Sequence, residues 1–309
     1  MVMYDIGFPH LGIYIQNLRN SIYIGNFSIA FYGILIGIAM VIGLFLTWKE
    51  ARRTGQKEDD YTDSIIWIII FGVIGARLYY VLFEWSYYKD NLAEIINTRS
   101  GGLAIFGGII AGIITLVVFC CIKKRNFLLM VDTIIPQVCL AQAIGRWGNF
   151  FNMEAFGRYT DGLLAMQLKL EKVSPIMVGT DHMENLLNIG GVEYIQVTPT
   201  FFIESMCCLI FFFILIWTQR HKKFNGEVFF GYLGLYGIER AIVEGMRSDS
   251  LMLGSIRVSQ LVAVICIVIA LTGLVIFAYI NKMKHPAVLI PPAAADKDNT
   301  DKDNTEKEV

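Results

Sequence analysis

Seven windows of about 20 mostly apolar residues dominate this chain, each long enough to cross the ~30 Å hydrocarbon core of a bilayer. They lie near 28–47, 64–83, 103–122, 131–151, 199–217, 228–247 and 256–280. Composition agrees: 55% of the 309 residues are hydrophobic, too apolar for an ordinary soluble protein of this length. The expected fold class is an all-α integral membrane protein with seven transmembrane helices. Spans four and six are the polar ones, and a strict hydropathy cutoff would miss them.

Basic residues set the expected orientation. Lys49, Arg52, Arg53 and Lys57 follow span one, and Lys123, Lys124 and Arg125 follow span three. Arg220, Lys222 and Lys223 follow span five, and Lys282 and Lys284 follow span seven. A seven-span count gathers all four groups on one side, so the N-terminus is expected outside and the C-terminus in the cytoplasm. Three parts result: an external segment 1–27, a seven-helix membrane body 28–280, and a cytoplasmic tail 281–309. The 152–198 loop, with Asn188-Ile189-Gly190-Gly191 as a turn signal, is expected to form a small external cap. The tail repeats Asp-Lys-Asp-Asn-Thr at 296–300 and 301–305 and is expected to be disordered from about 291, because that composition cannot bury a core. Residues 1–27 lack the basic start and apolar run of a cleavable leader, so targeting is expected to rest on span one.

The six cysteines lie in apolar stretches without CxxC spacing or a neighbouring histidine, so they read as small buried side chains rather than metal ligands. The net charge of -1 names no partner, and no nucleic acid is expected.

A charge near the bilayer centre costs roughly 3 kcal/mol, which makes polar side chains in or beside the spans the candidates for function. They are Arg77, Asp132, Gln137, Gln142, Arg146, Asn149, Asn152, Glu154, Glu204, Glu239, Arg240, Glu244 and Arg247, with hydroxyls from Tyr32 and Tyr236. Arg146, Asn149 and Asn152 share one face of span four, and Arg240, Glu244 and Arg247 share one face of span six. Arg146, Arg240 and Arg247 stand mainly against Glu154 and Glu244, an expected excess of guanidinium that calls for an anion. Forked guanidinium donors suit a phosphate, and a lipid headgroup phosphate is the anion most available at that depth. Ion pairs between helices are the plain alternative, and for the isolated Arg77, Asp132 and Glu239 the two readings stand level. Glycines crowd span three (Gly107, Gly108, Gly112) and recur every third residue on span six (Gly231, Gly234, Gly237), opening a cavity or allowing close helix packing.

The segment Gly145-Arg-Trp-Gly-Asn-Phe-Phe-Asn-Met-Glu-Ala-Phe-Gly157 closely resembles the signature of bacterial prolipoprotein diacylglyceryl transferases. So do Gly75-Ala-Arg-Leu78, Gly101-Gly-Leu-Ala-Ile-Phe-Gly-Gly108, Pro199-Thr-Phe-Phe-Ile-Glu204 and Tyr236-Gly-Ile-Glu-Arg-Ala-Ile-Val-Glu-Gly-Met-Arg247. They stand in the family's order over residues from about 28 to 280. The resemblance implies transfer of a diacylglyceryl group from phosphatidylglycerol to the lipobox cysteine of a prolipoprotein, giving a thioether and glycerol phosphate. It implies no cofactor and no metal. The partners it implies are phosphatidylglycerol, prolipoprotein signal peptides with a lipobox cysteine, and the bilayer of the bacterial cytoplasmic (inner) membrane.

Carried over by motif position, the resemblance implies that Arg146 and Arg240 bind the phosphate and neutralise the leaving group. Tyr32, Asn149 and Glu154 join them as expected catalytic residues. Arg247, Glu244, Gly107, Gly108, Asn152, Gly157 and Tyr236 are the further residues expected to bind phosphatidylglycerol. The chain departs from the family at Phe106, where histidine or tyrosine is common, and at Thr198, often histidine. His10, His182, His221 and His285 lie outside the spans, so a histidine base for the thiol is not expected. Glu154, Glu244, Tyr32 and the lipid phosphate remain as proton acceptors, with Glu154 first among the protein groups. A transporter or scramblase of an anionic lipid or solute, or an inactive homologue, is the alternative.

Overall fold

A computed structural model of the chain describes residues 3–25, 27–98, 101–246, 252–253 and 256–284. Arg247 and the tail from 285 onward lie outside the described residues. Nine α-helices occur among the described residues: α1 (Phe31–Arg53), α2 (Glu58–Phe83), α3 (Trp85–Tyr88), α4 (Ile105–Lys123), α5 (Phe127–Asn152), α6 (Thr180–Glu184), α7 (Thr200–His221), α8 (Glu227–Met246) and α9 (Val258–Lys284). Six of the seven long helices are long and apolar enough to cross a membrane: α1, α2, α4, α5, α7 and α9. The other, α8, carries Glu227, Glu239, Arg240 and Glu244 within its 20 residues.

The helices outrun the apolar windows at their basic ends. The first window stops near 47 but α1 continues to Arg53, and α2 begins at Glu58 rather than near 64. Charge placement explains the extension: Glu58, Asp59 and Asp60 open α2, and Arg52 and Arg53 close α1, each matching the sign favoured by the helix dipole.

Two isolated charges are structural. The Asp132 carboxylate is fully buried and accepts from Lys222 Nζ at 2.8 Å, Gly226 N at 2.8 Å and Phe229 N at 3.0 Å. It thereby fastens the α7–α8 turn to α5. Arg77, near the other end of the bundle, donates to the carbonyls of Ile95 at 2.7 Å, Glu94 at 2.6 Å and Gly102 at 2.8 Å. Its guanidinium draws the 84–102 connection back onto α2.

The glycines of span three act at a helix crossing. A Cβ on Gly107 would stand 2.4 Å from the Gly75 carbonyl oxygen, and one on Gly75 would stand 2.3 Å from Ala111 Cβ. Gly108 approaches the Gly72 carbonyl in the same α2–α4 contact. On span six, Gly237 meets Ala263 and Ile267 of α9, and Gly234 meets Ala270.

The helical expectation describes the membrane body, and strands form at one end of it. Strands β1 (Ile6–Phe8), β2 (Ile13–Ile15), β5 (Met166–Lys169), β6 (Leu187–Ile189) and β7 (Val192–Val197) make a five-stranded sheet in the order β2-β1-β5-β7-β6. All its pairings are antiparallel, with Ile6 opposite Leu168 and Leu168 opposite Ile195. The N-terminal segment and the 152–198 loop, expected as separate external pieces, are therefore one sheet. The Asn188–Gly191 turn joins β6 to β7, with Gly190 and Gly191 at φ 62° and 83°. Between β2 and α1, β3 (Ser21–Ile24) and β4 (Phe27–Ala30) form a hairpin, and β8 (Met252–Leu253) pairs with β9 (Ile256–Arg257) ahead of α9.

The sheet is packed onto the bundle. Ile6, Met166, Leu168, Ile195 and Val197 share a buried cluster with Phe150 and Met153 at the end of α5 and Phe201 at the start of α7. Burial of this apolar face ties the cap to the helix ends that carry the polar signature segment. Tyr4 is buried beside Tyr194 in the cap, and burial pushes its hydroxyl up to about 12.

Candidate active site

The C-terminal ends of α5 and α8 and the N-terminal ends of α7 and α9 meet at the sheet end of the bundle, around one carboxylate. Glu204 lies one turn into α7 and is 1% exposed. Its Oε2 pairs with Arg146 Nη2 from α5, and its Oε1 stands 3.9 Å from Arg240 Nη1 of α8. Arg240 turns its other nitrogen, Nη2, to Glu244 Oε2 at 3.0 Å and to Ser259 Oγ of α9 at 3.4 Å. The Arg257 guanidinium donates to the Glu244 carbonyl, tying β9 to the end of α8.

This geometry corrects the expected surplus of arginine. Among the described residues both Arg146 and Arg240 stand against a buried acid, and the shared one is Glu204 rather than Glu154. Helical periodicity groups residues on one helix but does not say which helix stands opposite. Breaking such a buried pair by removing one partner leaves an uncompensated charge, so the cluster holds its members at fixed positions. Two donor edges remain. Arg240 Nη1 is buried without a hydrogen-bond partner among the described residues, and the Arg146 side chain is 25% exposed.

A second polar group occupies the last turn of α5. Asn149 Nδ2 and Asn152 Nδ2 both donate to Glu154 Oε1, at 3.0 and 3.1 Å. Met153 and Ala155, on either side of Glu154, have φ of 50° and 54°. Left-handed backbone at non-glycine residues is strained and recurs at functional sites. Here it folds Glu154 back over the helix end, and the Thr200 hydroxyl holds the strained stretch by donating to the Ala155 carbonyl.

Gly157 and Gly148 are sites of close approach. Gly157 N donates to the Thr198 carbonyl at 2.9 Å, and a Cβ there would lie 2.9 Å from Met246 O, Thr198 Cβ and Thr200 Cγ2. The next amide, Arg158 N, donates to Met246 O at 2.9 Å. This one glycine thus lets the cap, α7 and the end of α8 converge. At Gly148 the Tyr32 ring of α1 lies where a side chain would be, with Cδ2 2.0 Å from an added Cβ. Tyr32 is thereby seated against α5 at Gly148, two residues along the chain from Arg146.

The remaining expected residues fall around this centre or outside it. Tyr236 stacks on Tyr232 at 5.9 Å, and Tyr232 shares hydrogen bonds with Gln142, forming a polar row between α5 and α8. Gly107 and Gly108 belong to the α2–α4 crossing, and Arg247 lies outside the described residues. Phe106 is an exposed residue in the first turn of α4. None of the described histidines enters the centre. His10 binds Asp161 at 3.0 Å, and hydrogen bonds from His10 and Gln196 hold that carboxyl below its usual range. His182 is fully buried between Gly179 N and Gly157 O, and His221 sits at the basic end of α7.

Two residues with no role assigned from sequence stand in the cluster. Glu204 was visible as an acid at membrane depth inside a signature segment, but nothing local tied it to either arginine. Glu239, beside Arg240, was visible only as an isolated buried charge.

A family model described as prolipoprotein diacylglyceryl transferase matches residues 19–276. A protein of Listeria monocytogenes serotype 4a is 40% identical over 266 residues, covering 86% of this chain and 91% of the relative. One from Finegoldia magna is 41% identical over 251 residues, 81% of this chain and 92% of its own length. One from Limosilactobacillus reuteri is 42% identical over 260 residues, with 83% and 90% covered. All three are named phosphatidylglycerol--prolipoprotein diacylglyceryl transferase.

Proposed function

The chain belongs to the prolipoprotein diacylglyceryl transferase family, and from that premise we propose how its site performs the transfer. The enzyme moves the diacylglyceryl group of phosphatidylglycerol to a cysteine thiol of a prolipoprotein, a step of bacterial lipoprotein maturation. The observation that carries the assignment of residues is the convergence of Arg146 and Arg240, from two helices, on the buried Glu204.

The reaction is displacement at a saturated carbon: a C–S bond forms and the glyceryl C–O bond to phosphate breaks. It needs a thiolate, in-line placement, and stabilisation of the negative charge that gathers on the departing phosphate. Arg146 takes the phosphate through its exposed edge and Arg240 through its unbonded Nη1, with Glu204, Glu244 and Ser259 fixing the guanidinium planes. The same positive charge favours the thiolate of the incoming cysteine, ordinarily half-formed only near pH ~8.5. Glu154, oriented by Asn149 and Asn152, takes the thiol proton. Tyr32 and Tyr236 line the phospholipid site with Glu244 and Asn152, Gly157 lets the cap close on it, and Arg247 is assigned to phosphatidylglycerol by its motif position alone. Gly107 and Gly108 serve it by holding α4 against α2.

The topology has seven spans, with α8 packed between α7 and α9 as the seventh and its Arg240 and Glu244 turned onto each other. The ends rich in Lys and Arg face the cytoplasm, which puts the sheet and site at the outer face of the bacterial cytoplasmic membrane. There the site meets both the lipid headgroup and the lipobox cysteine of a signal peptide anchored in the same bilayer.

Transfer to a lipobox peptide, with release of glycerol phosphate from labelled phosphatidylglycerol, tests the reading. Arg146→Ala and Arg240→Ala are each expected to lower kcat/KM by about 10²- to 10³-fold, the usual cost of losing one group that stabilises developing charge. Wild-type rates in either variant would remove the phosphate clamp. Gly148→Ala is a subtler probe: its methyl displaces the Tyr32 ring. Turnover is expected to fall about 10-fold, one decade being ~1.4 kcal/mol of barrier, while Gly145→Ala, with more room beside it, stays near wild type.

A further inference from the structure

Glu239 is the buried acid of the cluster to which the transfer mechanism above gives no task. It lies next to Arg240 on α8, is 5% exposed, and its Oε1 has no hydrogen-bond partner among the described residues. Glu204, Arg146 and Arg240 are the charges that act on it. The other titratable groups around it are Cys207 and Cys208 of α7 and Tyr236 of α8, the last facing Cys266 of α9. No lysine or histidine is among them. A charged carboxylate buried with an oxygen left unbonded is costly, and groups so placed hold a proton instead.

The charge count around the site makes that proton useful. Arg146 and Arg240 are already matched by Glu204 and Glu244. A phosphodiester brings one further negative charge, and when its glyceryl C–O bond breaks the departing monoester gains a second. Arg257, which donates to the Glu244 carbonyl, adds one positive charge, enough for the diester but not for the second charge.

We propose that Glu239 supplies the proton that the departing glycerol phosphate takes up. As the cysteine sulfur attacks, its proton passes to the Glu154 carboxylate and the C–S bond forms. The electrons of the C–O bond go to the phosphate oxygen, and the Glu239 carboxyl proton moves onto the phosphate. The product leaves as the singly charged monoester. Glu154 then returns its proton to Glu239 through water, and both groups are restored. This inference rests on the transferase reading.

The full-length enzyme in detergent, with phosphatidylglycerol and a lipobox peptide, tests it through rate against pH. In the wild type, kcat is expected to fall on the alkaline side as Glu239 loses its proton. In Glu239→Gln, kcat is expected to drop about 10²-fold, in the range for loss of a general acid. Its alkaline fall should vanish, leaving a rate that rises with the thiolate fraction of the peptide, while KM for phosphatidylglycerol stays unchanged. Glu239→Asp, which keeps a carboxyl, is expected to regain the alkaline fall and part of the rate. Glu239→Gln with the wild-type rate and profile overturns the proposal. So does an equal loss in Gln and Asp variants with the alkaline fall intact, which marks a packing role. A wild-type enzyme that releases no glycerol phosphate at any pH instead overturns the transferase reading itself.

Discussion

Glu204→Ala is expected to abolish transfer and to lower the apparent melting temperature by about 10 °C. The reason is arithmetic on buried charge. Glu204 is 1% exposed and stands against both Arg146 and Arg240, so alanine takes the paired acid from Arg146 and leaves Arg240 with Glu244 alone. Removing one partner of a buried pair costs about 3–5 kcal/mol, and for a chain of this size each kcal/mol is worth roughly 2–4 °C. Activity fails for a related reason: without the shared carboxylate the two arginines repel, and their donor edges no longer converge on one phosphate. Thermal unfolding in detergent and the glycerol phosphate assay read the two effects separately. A double variant, Glu204→Leu with Arg146→Met, which leaves Arg240 on Glu244, is expected to recover much of the stability and none of the activity. A melting temperature for Glu204→Ala equal to wild type would show that the pair is not a buried ionic centre.

Asp132→Ala should give the opposite split, with stability lost and chemistry kept. This carboxylate takes Lys222 and the amides of Gly226 and Phe229, so alanine strands one ammonium and two buried N–H groups at the start of α8. The expected destabilisation is again about 3–5 kcal/mol, with Asp132→Asn losing less because its amide oxygen still accepts one of the backbone bonds. The α7–α8 turn lies at the basic end of the bundle, away from the sheet and the arginine cluster. Below the lowered melting temperature, kcat/KM is therefore expected to stay within about twofold of wild type, a difference of under ~0.5 kcal/mol. If Asp132→Ala melts with the wild type, the turn is held by packing alone; if it loses turnover while folded, the two ends of α8 are coupled.

These paired cases show where sequence reasoning reached and where it stopped. Arg146 and Glu204 are both conspicuous because charge is rare in apolar windows, yet their contact joins residues 58 positions apart on neighbouring helices. Asp132 and Arg77 looked alike from sequence, each a lone charge in a span. Only their partners separate them from Arg146 and Arg240: Asp132 collects two amides and a lysine, and Arg77 collects loop carbonyls. The glycines divided the same way. Gly107 and Gly148 both accept close neighbours, but one meets helix backbone and the other the ring of Tyr32.

The cap was the least legible part. Its strands are three to six residues long, as in Ile6–Phe8 and Val192–Val197, too short for alternation to stand out. Pairing Ile6 with Leu168 closes a loop of 162 residues, a match that no local window contains. The loop was expected outside the membrane as a cap, but the contribution of the N-terminal segment to it was not.

By itself the sequence determined the helical membrane body, the approximate positions of its long helices and the helix faces that carry polar groups. Hydropathy over about 20 residues and the 3.6-residue repeat are local properties, and lipid enforces both. The tertiary structure alone decided which charges meet. It set Glu204 between Arg146 and Arg240, left Glu239 Oε1 without a hydrogen-bond partner among the described residues, and sealed that end of the bundle with a sheet drawn from two distant segments. Those outcomes depend on how helices and strands far apart in the chain pack together, and a buried charge acquires its role from the groups that packing brings within a few ångströms of it.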